Sequence, residues 1–160
     1  MTEQELKKVL DAAEKEPQKI AMAVTGLPDK VLNFKPTPEK WSIREILAHL
    51  ADVELVYGFR MRQMLAENSS TITPMNQDAW AQKMGYGETA APESVAQFGL
   101  LRRANLRLLS RMKMSDLKRG AFHPELQREF TLEELVGRIA KHGSSCTRRS
   151  GRPLATPTSC

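Results

Sequence analysis

The chain has 160 residues, 41% of them hydrophobic, enough for one domain around one core and too apolar for a disordered chain. No apolar run reaches the roughly 18 residues of a membrane span, and the polar start from Met1 to Lys8 lacks an apolar signal region, which points to a cytoplasmic protein with no membrane partner. The net charge of +5 does not imply a nucleic-acid partner: Arg148, Arg149 and Arg152 lie in an acid-free terminal stretch, and no basic stripe with interleaved aromatics exists, so the charge reads as a solvated surface.

Four helical segments follow one another. The first spans about Glu3 to Val24, with Leu6, Val9, Leu10, Ala13, Ile20 and Val24 at helical spacing. Pro17 marks a kink or a fresh start in it, and Gly26-Leu27-Pro28 ends it. After a connection holding Pro28, Pro36 and Pro38, Ser42-Ile43-Arg44-Glu45 reads as a capping box that opens the second helix. That helix runs to about Glu67 with one apolar stripe through Ile43, Ile46, Leu47, Leu50, Val53 and Tyr57. A loop over 68–91 includes a short helical piece around Asp78–Lys83. The third helix begins near Pro92, and Thr131-Leu132-Glu133-Glu134 is a second capping box opening the fourth.

No strand alternation of useful length appears. Amphipathic helices with one apolar face each bury those faces against one another, so the expectation is an all-α antiparallel four-helix bundle over residues 1–142. After His142 the composition turns to Gly, Ser, Thr, Arg and Pro, poor helix formers. Residues 143–160 read as a loose basic tail that truncates the fourth helix. Both cysteines, Cys146 and Cys160, lie in it, so no disulfide framework supports the body.

Three residues of the second helix carry chemistry. His49 lies beside the apolar stripe, as a hydrogen-bonded structural histidine or as a metal ligand. Asp52, one turn on, orients that imidazole or is a solvated helix charge. Glu54 falls inside the apolar stripe, and burying a carboxylate alone costs several kcal/mol, so it meets a cation, a metal shell or hydrogen-bond donors, or the helix is rotated at that point. On the fourth helix, His142 follows Ile139 by three residues, and Cys146 would share its face if the helix continued; both residue types bind zinc. His123, in a His-Pro loop, has no companion in the sequence.

The stretch Pro38-Glu39-Lys40-Trp41-Ser42-Ile43-Arg44-Glu45-Ile46-Leu47-Ala48-His49-Leu50-Ala51-Asp52-Val53-Glu54 resembles the second-helix signature of the DinB/YfiT-like superfamily. Gln77-Asp78-Ala79-Trp80 resembles its following loop, and His123-Pro124-Glu125 with Phe130 to Leu135 resembles its approach to the fourth helix. The likeness covers about residues 1–142. It implies an up-up-down-down-type bundle, often a homodimer. It implies a divalent metal, zinc or nickel, held by one histidine of the second helix and two of an H-x-x-x-H in the fourth. His49 and His142 match two of these; Cys146 stands where the third is expected, and a frame change near Gly143 would account for the departure. The implied activity is metal-dependent hydrolysis or low-molecular-weight thiol transfer on an unidentified small-molecule substrate, impaired by the atypical C-terminus, with Glu54 or Asp52 orienting groups or exchanging protons. The alternative is a metal-free binding or stress-response bundle without catalysis.

Overall fold

A computed structural model describes residues 1–68 and 70–139. Helix α1 spans Glu3–Val24, α2 Asp29–Leu32, α3 Ile43–Ala66, α4 Gln77–Lys83 and α5 Ala91–Leu109. A 3-10 turn over Met114–Lys118 leads to strands β1, Gly120–His123, and β2, Arg128–Thr131. Residues 132–139 are helical and are called α6. The long helices α1, α3 and α5, with the described part of α6, form a four-helix bundle, in which α5 packs against both α1 and α3 and α6 shares their core.

The helix starts follow their caps. The Ser42 hydroxyl accepts from the Glu45 N–H at 3.3 Å while the Glu45 carboxylate accepts from the Ser42 N–H at 2.7 Å, so α3 begins at Ile43. Thr131 and Glu134 repeat the arrangement at the head of α6: the Thr131 hydroxyl accepts from the Glu134 N–H at 3.3 Å, and the Thr131 N–H donates to Glu134 at 3.0 Å. Arg128 grips the same carboxylate through two nitrogens at 2.7 and 3.0 Å. These bonds, with the Arg128 contact foremost, hold the Glu134 pKa down at about 2. Leu132, Leu135, Val136 and Ile139 are all buried, each worth roughly 2 kcal/mol. Packing, more than propensity, thus holds this short helical stretch.

Pro17 does not start a new helix: α1 runs through it. Proline has no N–H to donate to the Ala13 carbonyl four residues back. The Arg102 guanidinium of α5 donates to that carbonyl instead, at 3.1 Å, so the backbone group stays satisfied.

The connection before α6 departs from the all-helical expectation. β1 and β2 form an antiparallel hairpin in the register Gly120↔Thr131 to His123↔Arg128. Each strand is four residues long, too short for alternation to show in sequence. The chain after α3 joins it: Phe122 N–H donates to the Ser70 carbonyl at 3.0 Å, and Ile72 N–H to the Phe122 carbonyl at 2.8 Å.

Candidate functional site

His49 lies on the buried side of α3, 2% exposed. The edge of Trp41 meets its ring with centroids 4.8 Å apart. The Ser42 cap fixes where α3 begins, and so holds Trp41 just outside the first turn. Trp41 also meets Tyr86 edge-on at 6.2 Å. Tyr86 closes the group: its hydroxyl donates to Asp52 Oδ2 at 2.6 Å.

The route that brings Tyr86 there is local. Helix α4 ends at Met84, and Gly85 takes φ +63, a left-handed conformation that suits glycine. The Tyr86 N–H then donates to the Ala81 carbonyl at 3.1 Å, the 6→1 bond of a Schellman-type end. That reversal drives the side chain back to α3, where it is 2% exposed. Burial and the Asp52 carboxylate both raise the Tyr86 pKa, so the phenol stays protonated and donating. Sequence reading missed Tyr86; the Met84-Gly85 helix stop just before it was the available signal.

Asp52 is half-buried, held on one oxygen by Tyr86 and one turn from His49.

Glu54 has the cation and the donors that its position demanded. It is five residues past His49, about 140° round the helix at roughly 100° per residue, and it faces α5. Arg102 reaches Oε1 at 2.9 Å and the Asn105 amide donates to Oε2 at 3.0 Å. Asn105 also donates to the Glu54 carbonyl at 2.8 Å. This approach depends on Gly58, where a Cβ would stand 2.5 Å from the Asn105 side-chain oxygen. Arg102 also pairs with Glu16 of α1 at 2.7 Å, and its guanidinium lies 4.9 Å from the centre of the Phe98 ring. Burial raises the Glu16 pKa against the opposing pull of Arg102.

His142, Cys146 and the tail lie outside the described residues. Among the described residues no three His, Cys, Asp or Glu side chains come together as a ligand set. The fit of a metal is therefore carried by His49, a buried imidazole of the donor type that suits zinc or nickel. His123 is not in a loop: it ends β1 and packs on Phe130 at 5.8 Å.

The sequence profile of the DinB superfamily matches residues 12–144. The chain belongs to the DinB superfamily. YfiT of Bacillus subtilis is 29% identical over 136 residues, 84% of this chain and 76% of that protein. A provisionally named metal-dependent hydrolase of Bacillus mycoides is 25% identical over 143 residues, 89% of this chain and 82% of that protein. The solved YfiT structure, described as a probable metal-dependent hydrolase with an unusual four-helix bundle topology, superposes with a TM-score of 0.85 at 25% identity, covering 94% of this chain and 90% of that one. The mycothiol-dependent maleylpyruvate isomerase shares the fold, with a TM-score of 0.67 at 12% identity, over 94% of this chain and 62% of that one. Among the described residues no helix is long and apolar enough to cross a membrane.

Proposed function

We propose that this DinB-superfamily chain is a metal-dependent hydrolase acting on a small molecule, with His49 as a ligand. The observation that carries the reading is the group around that residue. A buried imidazole sits against Trp41, one turn from a carboxylate held by a buried phenol. The names of YfiT and its relative support the reaction class. His142, three residues after Ile139 in the sequence, and Cys146 complete the ligand set in this reading.

Zinc or nickel, when bound, supplies Lewis acidity and lowers the pKa of a bound water or thiol. The chain's own residues do the rest. Tyr86 holds Asp52 in one orientation, and Asp52 moves the proton. Trp41 and Tyr86 keep bulk water from the imidazole. Glu54, with both oxygens taken, holds α3 to α5 in this reading, so proton transfer falls to Asp52. The thiol-dependent isomerase of the same fold keeps low-molecular-weight thiol transfer as the second reaction to assay. A homodimer belongs to the same proposal. A groove of about 660 Å³ between α1 and α5, lined by half-buried Leu6, Leu10, Leu106 and Met112 among others, offers apolar surface for a second copy.

Metal analysis of the purified full chain, after exposure to zinc or nickel and dialysis, tests the reading. About one metal per chain is expected, lost in His49→Ala and reduced in Cys146→Ser. A wild type that retains none, or a His49→Ala variant that retains it all, overturns the assignment and favours a metal-free binding module.

A further inference from the structure

A second cluster of polar side chains lies farther down α3 and plays no part in the reading above. Arg60 is eleven residues past His49, about 20° round the helix and roughly 16 Å along it. It is 9% exposed, and its Nη2 donates to the Thr73 carbonyl at 2.8 Å. Its Nε is buried without a hydrogen-bond partner. Among the described residues it forms no ion pair with a carboxylate. A guanidinium stays charged at any working pH, so a cation has been buried with one neutral hydrogen-bond acceptor; Tyr57 and the exposed, unbonded carboxylate of Glu125 favour its charge from farther off, and Arg138 opposes it.

The surroundings add donors and positive charge. Ile72, beside Thr73, is hydrogen-bonded to Phe122, and the next residue is His123. His123 is 6% exposed, and its Nδ1 has no partner. Ser70 bonds through its carbonyl to Phe122, is 8% exposed, and its hydroxyl has no partner. In the pleat of this parallel bridge Thr71 and Phe122 turn outward, while Ser70, beside Ala121, and Ile72, beside His123, turn inward, so Ser70 and His123 share a face on the diagonal. Arg138 of α6 covers the Phe130 ring at 4.7 Å, and the same ring packs on His123. Burial, then Arg60, with Arg138 and Arg128 behind it, lowers the His123 pKa; exposed Glu125 is the acid that opposes them. Unpaired donors around an uncompensated cation are the complement of an oxyanion.

We propose that Arg60, His123 and Ser70 form a binding site for a small oxyanion, the carboxylate or phosphoryl group of a small-molecule ligand. Arg60 supplies the charge and a free N–H, His123 an imidazole N–H, and Ser70 a hydroxyl. The site needs no metal at His49, so it stands or fails apart from the hydrolase reading.

NMR titration of the His123 ring in the full-length protein, at low ionic strength, tests it with inorganic phosphate and acetate as separate probes. An anion seated beside the ring favours the imidazolium, so the His123 pKa should rise on saturation. The stronger probe distinguishes a tetrahedral from a planar ligand group. Arg60→Gln should raise the His123 pKa without any probe and weaken binding about tenfold or more. Arg60→Lys should keep the charge yet bind less well than wild type, because it lacks the planar fork. Should Arg60→Gln fail to fold, Ser70→Ala serves in its place, with weaker binding and an unchanged His123 pKa in the absence of probe. A wild type in which neither probe moves His123, or variants that bind both probes as wild type does, would overturn the site.

Discussion

Two arginines are buried among the described residues of this bundle, and the chain treats them in opposite ways. Arg102, 1% exposed, lies between Glu16 and Glu54 and also satisfies the Ala13 carbonyl that Pro17 leaves open. Arg60, 9% exposed, has one carbonyl as hydrogen-bond acceptor, with Tyr57 and exposed Glu125 favouring its charge and Arg138 opposing it. Each leaves its Nε without a partner, so that atom does not separate them. Neutralisation does. A cation set between two carboxylates ties three helices together, whereas one buried without a counter-charge is a cost that the fold carries for some other use. A buried charge therefore points to structure or to a ligand according to what faces it, and burial alone does not decide.

The largest effect that could break this contrast is at Arg102. Arg102→Met leaves Glu16 and Glu54 buried without their cation, and should cost about 3–5 kcal/mol by urea unfolding at neutral pH. The burial-raised pKa of Glu16 fixes the sign of the pH dependence. Its folded value lies above the unfolded one, so its ionisation opposes folding and its protonation favours it. The deficit of Arg102→Met should therefore shrink in acid, and adding Glu16→Gln and Glu54→Gln should recover most of it. A loss under about 1 kcal/mol would mean that the network holds little.

The sequence carried one half of this contrast and hid the other. Glu54 stood inside an apolar stripe, and its position alone required a cation or donors. Arg102 and Asn105 could not be named, because they lie some fifty residues away on α5 and only the packing at Gly58 brings them in. The helix starts at Ile43 and Leu132 were legible because capping boxes are local. His49 and Asp52 were legible as a pair at i, i+3, but Tyr86 reaches Asp52 through a helix end that spacing does not reveal. Arg60 drew no notice, since an arginine on a helix is ordinarily solvated. His123 found no companion because a four-residue hairpin leaves no periodic trace.

A smaller effect sharpens the second region. Glu134 neutralises Arg128, one of the cations acting on His123. Its folded pKa of about 2 lies below the ordinary 4.5, so its contribution is complete above about pH 4.5 and is lost as the pH falls towards 2. The pair is partly exposed, which discounts its strength. Glu134→Gln should therefore cost about 1 kcal/mol at neutral pH, mostly the loss of the α6 cap. Wild type and variant should converge by about pH 2. The same change frees the Arg128 charge and should lower the His123 pKa further. A stability difference that does not vary with pH would assign the loss to cap geometry alone.

The smallest expected effect is also the sharpest comparison, because it repeats the Arg102 substitution at Arg60. Arg60→Met removes the hydrogen bond to Thr73, worth about 1 kcal/mol. It also removes a buried charge that forms no ion pair among the described residues, and an apolar chain of similar length fills the space. The two changes oppose each other, so the net shift in unfolding free energy should stay within about 1 kcal/mol of zero, with stabilisation as acceptable an outcome as loss. Phosphate or acetate should stabilise the wild type by mass action and leave Arg60→Met unmoved, which separates a ligand site from a merely tolerated charge. If Arg60→Met instead costs as much as Arg102→Met, Arg60 is a structural partner whose counter-charge lies elsewhere in the chain, and the contrast between the two arginines falls.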